Sequence, residues 1–402
     1  MLSVSPSIPP VRARPLASRD FGAGPLVVFY ETTQACDLVC THCRASAQPN
    51  RNRWELTPAQ ACGLLDELCR FDEPPLVVLT GGDPMKRPDI HEIVEHGVSR
   101  GLSMSMTPSA TPLVTKAALG RLADAGLSRL AVSIDGANAA SHDALRGVPG
   151  SFARSLEILA DARACGLSLQ VNTTVHRGNV DELPALADLL DGYGIVLWSV
   201  FFLVPVGRGL AERRIDPERY EEVFALLARE ARRRSYLIKT TEAPHYRRFV
   251  LQKRKAARRR ERGLAATNVA GKATANGPDT NAATGVVPMG MAGTNDGNGV
   301  LFIGHTGLIQ PSGFLPRPCG RFPHDSIVEV YRNHPLFRSL RDADGFRGKC
   351  GSCEFRSICG GSRARTFALT GDALGSDPDC VYQPAAWLRA SQHVADAPHG
   401  RN

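Results

Sequence analysis

A chain of 402 residues with 43% hydrophobic side chains is long enough for a barrel-sized domain and a smaller companion. Its formal charge of +8 is local: between Arg247 and Arg262 lie nine Lys/Arg and one acid, Glu261, so the rest is near neutral and no nucleic-acid partner is indicated. The longest apolar run, Val196 to Val206, is broken by Ser199 and Pro205, and the opening MLSVSPSIPPVRARP has no apolar signal core; the expectation is a cytoplasmic chain with no membrane partner.

Residues 1–24, rich in Pro and Arg, read as an N-terminal arm. From Pro25 onward, short β-branched runs alternate with helix-period segments. The strand-like runs are 26–31, 76–80, 102–106, 130–135, 167–175 and 196–204. Helical patterns fall at 58–70, 88–99, 115–125, 151–165 and 182–191. The first is opened by Thr57 as cap and Pro58 at the first helical position. Apolar strands alternating with helices predict parallel βα units covered on both faces. The fold class is therefore α/β, a partial (β/α)6-type TIM barrel over 25–248, with a seventh unit ending in KTTEAPHYRR (239–248). Its chemistry is expected at the C-terminal ends of the strands. Residues 249–299, basic and then rich in Ala, Gly, Asn and Thr, read as a linker. A small cysteine-rich domain is expected over 300–390, opening with a hairpin-like segment (300–316), and 391–402 is a tail.

Seven of the eleven cysteines form two tight sets. Cys36, Cys40 and Cys43 give C-x3-C-x2-C just past the first strand. Three thiolates on one loop hold three irons of a cubane and leave the fourth open to a chelating ligand. The alternative is a zinc loop completed by His42. Cys350, Cys353, Cys359 and Cys380 give C-x2-C-x5-C-x20-C, enough to close a four-iron cluster or a structural zinc site; spacing does not separate the two. Cys62, Cys69, Cys165 and Cys319 stand outside both sets.

The first set resembles the cluster loop of the radical S-adenosylmethionine (SAM) superfamily, with His42 where that family has an aromatic residue near the adenine. TGGDP (80–84) resembles the family's GGEP motif, with Asp for Glu; Gly81, Gly82, Asp83 and Pro84 are the matching positions. Ser133 and Asp135 at the end of the fourth strand and Asn172 in the fifth match positions that contact SAM. The second set resembles the SPASM/twitch-type extension of that family. The extension usually carries further cysteines where this chain has Ser312 and Arg363, so one auxiliary cluster is expected. The cofactors implied are two [4Fe-4S] clusters and SAM, with an external electron donor such as flavodoxin or ferredoxin.

Within the superfamily, the run GGSRARTFALTGDALGSDPDCVYQP is similar to the branch that tailors tetrapyrroles, in heme d1 and alternative heme synthesis. The implied activity is reductive cleavage of SAM to a 5′-deoxyadenosyl radical that modifies a carboxylated small molecule. The alternatives are a peptide-modifying enzyme of the SPASM group and a non-catalytic iron–sulfur sensor or electron carrier. The SAM-pocket motifs argue against the last. For the substrate, Lys239, His245 and Arg247 are the candidate contacts, because basic side chains suit carboxylates.

Overall fold

The computed structural model describes residues 19–268 and 294–395. Ten strands form one sheet: β1 Val27–Thr33, β2 Leu76–Gly81, β3 Met104–Met106, β4 Arg129–Ser133, β5 Leu169–Val175, β6 Leu197–Phe202, β7 Leu237–Thr241, β8 Val300–Ile303, β9 Leu308–Gln310 and β10 Gly320–Arg321. The spatial order is β10-β9-β8-β1-β2-β3-β4-β5-β6-β7. Neighbours from β1 to β7 are parallel, each linked by a segment that crosses over through helix. The six strands and five helices read from the sequence all form, within two to three residues of their expected ends. The first helix, Pro58–Leu68, starts on a reciprocal cap between Thr57 and Gln60. Val28, Tyr30, Val77, Leu79, Val171, Trp198 and Val200 are fully buried in the core between sheet and helices.

Two expectations on organisation change. The basic run from 249, assigned to a linker, continues a helix, His245–Asn268, because no Gly or Pro interrupts it before Gly263. The Ala/Gly/Asn/Thr-rich part of that linker, 269–293, lies outside the described residues, as do most of the arm (1–18) and of the tail (396–402). Residues 294–299 are already packed, with Thr294 and Asp296 buried. The second change is at β8. It pairs parallel to β1, from Val27↔Val300 to Tyr30↔Ile303, so the C-terminal segment begins as an added strand of the barrel sheet. The hairpin expected there forms, as antiparallel β8 and β9. Among the described residues, no helix is long and apolar enough to cross a membrane.

Candidate active site

At the C-terminal ends of the strands two cavities adjoin. The first is lined by Cys36, Cys40, Cys43, His42, Gly81, Gly82, Ser109, Ser133, Arg146 and Asn172. Arg44, Thr80, Thr107, Asn172, Phe201 and Phe314 belong to both walls. The second continues past Phe29, Phe302, Lys239, Glu242, Asp296 and Arg247.

The thiol loop is held by backbone and by arginines. A side chain at Gly81, where φ is 147°, would put its Cβ 2.2 Å from the Thr33 carbonyl oxygen, and one at Gly82 would lie 2.3 Å from that of Ala35. Glycine is thus required for the second strand to approach the loop; the Gly82 and Asp83 amides donate to Thr33 and Ala35 at 2.9 and 2.7 Å. From the far side, Arg208 donates to the carbonyls of Cys40 (2.9 Å) and Ala47 (3.1 Å). The sulfurs of Cys36 and Cys43 each accept a backbone amide at 3.4 Å, from Leu38 and Ala47, and Arg146 Nη1 approaches Cys40 Sγ at 3.8 Å. N–H groups aimed at sulfur suit thiolates more than thiols. All eleven cysteines are free of disulfides.

Asp83, Pro84 and Asp135 differ from their expected role: none of them lines either cavity. Asp83 is fully buried and accepts from Met85, Ser109 and Thr111, fixing the turn. Asp135 lies behind the wall, ion-paired to Arg146 and accepting the Thr174 amide at 2.6 Å. Burial pushes its carboxyl up, but the Arg146 guanidinium above all, helped by the Thr174 amide, offsets this and holds it below its ordinary range. His42 lies 3.9 Å from Asp135; burial lowers its imidazole to about 4 despite that acid, so the ring is neutral. Ser133 and Asn172 pair in register across β4 and β5 and both line the cavity, whereas Asp135, expected on the same face as Ser133, does not. Arg146 escaped the sequence reading because its short helix, Ala139–Arg146, has little apolar pattern. Its signals are the Asn138 cap and the Gly147 stop.

In the second cavity, Lys239 has no acid or carbonyl partner among the described residues. Burial, with Arg247 and Arg129 adding to it, lowers its ammonium to about 8. Arg44 bonds Glu31 at 2.8 Å and stacks 4.7 Å over Phe302. Glu242 and Asp296 hydrogen-bond to each other; burial raises both, and the charge of Asp296 raises Glu242 further. Arg247 reaches this wall, but its guanidinium is occupied by the carbonyls of Ile358 (3.1 Å) and Thr294 (2.7 Å). His245 is absent from it. The ring sits in the first turn of the helix after β7, fully buried between Tyr220 and Phe224, where burial lowers it to about 3. The rule that strand ends converge on the mouth covers Lys239 to Glu242 and stops before the helix.

The four C-terminal cysteines line one small cavity, with Arg248, Lys349 and Tyr382 around them. Each sulfur accepts at least one N–H: Cys350 from Asp377 (3.3 Å), Cys353 from Phe355 and Cys359 from Gly361 (3.4 Å each), and Cys380 from Tyr382. Cys319 lies elsewhere, its thiol on the Arg317 carbonyl, and Cys69 and Cys165 likewise donate to local carbonyls. Among the described residues no three Cys, His, Asp or Glu side chains converge on a single-ion point.

An open barrel with three thiols at the mouth and a glycine turn beside them defines a radical SAM enzyme. The Radical SAM superfamily model matches residues 30–190. The chain is 36% identical to the AdoMet-dependent heme synthase of Nitratidesulfovibrio vulgaris over 89% of its own length and 92% of that protein's. It belongs to the radical SAM superfamily, whose members bind SAM and a [4Fe-4S] cluster. A PqqA peptide cyclase from Bradyrhizobium diazoefficiens is 29% identical over 90% of this chain and 87% of that protein. The fold matches Streptococcus suis SuiB bound to S-adenosylmethionine, with a TM-score of 0.63 and 16% identity, over 90% of this chain and 77% of that one.

Proposed function

We propose that the chain modifies a carboxylated tetrapyrrole by radical SAM chemistry, with a second, auxiliary [4Fe-4S] cluster on Cys350, Cys353, Cys359 and Cys380. Cys36, Cys40 and Cys43 would hold the SAM-binding cluster, which when loaded supplies the electron that cleaves SAM to a 5′-deoxyadenosyl radical. Gly81, Gly82, Ser133 and Asn172 line the space for SAM, and neutral His42 closes it beside the thiols. Asp83, Pro84 and Asp135 position this wall from behind. The electron would come from an external carrier of the flavodoxin or ferredoxin type.

The observation that carries the substrate class is the second cavity: Phe29, Phe201, Phe302 and Phe314 offer apolar faces, and Lys239 is an ammonium with no acid or carbonyl partner among the described residues. A flat ring with acidic side arms matches both. The relationship to a heme synthase supports the same class. The test is anaerobic incubation of the reconstituted enzyme with SAM, dithionite and iron-coproporphyrin III, following product mass. Production of 5′-deoxyadenosine with no change in the porphyrin would remove this substrate. The second reading, a peptide substrate, is supported by the similarity to a peptide cyclase.

A further inference from the structure

Two arginines touch cluster cysteines, and they differ in how their charge is balanced. Arg146, at Cys40, is ion-paired with Asp135. Arg363, at Cys350, makes no direct ion pair among the described residues; Asp296 and Asp372 act on its charge only from a longer range. Its guanidinium is fully buried and donates to the carbonyls of Gly361 (3.3 Å), Ala373 (3.0 Å) and Gly375 (2.9 Å), and its Nη2 to Cys350 Sγ at 3.5 Å. Phe346 covers one face at 4.7 Å.

A buried cation without a counter-ion is strongly destabilising, so an anion is needed beside it. The sulfur supplies that anion when Cys350 is a metal-bound thiolate. The other charges around the four thiols are largely paired internally: Arg365 with Asp377 and Asp379, Arg248 with Glu221, and Arg356 with Asp344. Arg247 and Lys349 bond carbonyls and add positive charge.

We propose that Arg363 is a positioning residue that raises the reduction potential of the auxiliary cluster, making it an easier electron acceptor than the cluster at Cys40, where Asp135 neutralises the arginine. This rests on the auxiliary-cluster reading above. Reduction adds a negative charge to the cluster, and a guanidinium held by carbonyls and not by a direct ion pair, with an N–H on sulfur, favours the more negative state. At the SAM site the ion pair cancels most of that field.

The test uses the Cys36/Cys40/Cys43→Ala chain, which isolates the C-terminal site, reconstituted anaerobically and titrated by electron paramagnetic resonance. About four irons per chain establish the cluster; no iron uptake overturns the reading beneath this inference and leaves no cluster to tune. With iron bound, Arg363→Gln should lower the midpoint so that the reduction constant falls at least tenfold, 59 mV for one electron. Arg363→Lys, which keeps a charge but not the fork, should fall between. If Arg363→Gln cannot hold iron, the Lys variant against the parent decides. Unchanged midpoints in variants that retain four irons overturn the proposal. So does an auxiliary midpoint below that of the SAM cluster, measured in a Cys350/Cys353/Cys359→Ala chain.

Discussion

The two cysteine sets use the same side chain to opposite ends. The N-terminal three stand at the edge of a cavity that runs on toward a substrate space, and their loop is clamped by backbone contacts from β1, the glycine turn and Arg208. The C-terminal four line a small cavity of their own, with N–H groups on every sulfur. The difference teaches that ligand count alone does not define a role. What surrounds the sulfurs differs as well: the first cavity runs on into a second, larger one, and the cavity at the C-terminal cysteines is small and shares no residue with either.

That contrast can be broken most sharply at Cys40. Cys40→Ala should abolish 5′-deoxyadenosine formation under dithionite, since two thiolates cannot hold a cubane with one open iron, whereas Cys359→Ala should leave uncoupled cleavage of SAM measurable by chromatography. Equal loss in both variants would mean that the sets are not independent. Iron content sharpens the same point: about eight irons per wild-type chain should drop to about four when either set is replaced by alanine. A wild-type chain saturating at four irons with stoichiometric zinc would falsify the assignment of the second set.

A smaller effect is expected between the sites. Lys239→Ala should lower kcat/KM for the true substrate roughly ten- to hundred-fold, the worth of a charge-assisted contact of ~1.5–3 kcal/mol, while uncoupled cleavage stays constant. The ammonium is charged below about 8 and lost above it, so wild-type kcat/KM should fall on the alkaline side of that value. Lys239→Arg should move this limb to higher pH; an alkaline limb unmoved in that variant removes Lys239 as its source.

The smallest catalytic effect belongs to His245. Its replacement by Ala opens a hole between Tyr220 and Phe224, and a loss of about 2–5 kcal/mol in stability is expected, with turnover per bound cluster unchanged. The sign of its pH term follows from a folded value near 3 against an ordinary 6.5. The unfolded chain takes up the proton first, so stability falls as pH drops from 6.5 toward 3. His245→Phe should flatten that part of a melting-temperature profile; an unaltered acid slope assigns it to other groups.

The fold was largely legible because most barrel strands are apolar, β-branched runs and several helices open on caps such as Thr57, Thr115 and Asn138. Cysteine spacing carried both thiol sets. Side-chain direction was less legible. Asp83 and Asp135 occupy motif positions, yet burial and ion pairing turn them behind the wall, which no local pattern encodes. His245 and Arg247 follow β7 in sequence but belong to the next helix, where a change of axis redirects every side chain. The acid pair Glu242–Asp296 arises only from a contact across a long stretch of chain, and the place of Arg363 beside Cys350 from a loop that folds back over a short one.

The pairing of β8 with β1 has a consequence for how the chain is made. Val28 leaves the ribosome well before its buried neighbour Leu301. Until then the outer edge of β1 presents unpaired amides and carbonyls beside a cysteine loop, a template for pairing with another chain. Closing that edge over so many intervening residues is a slow, non-local event. The strand that carries the first cysteine loop is completed only when the segment leading to the C-terminal cysteines arrives, so the two cysteine sets reach their final surroundings in one late step of folding.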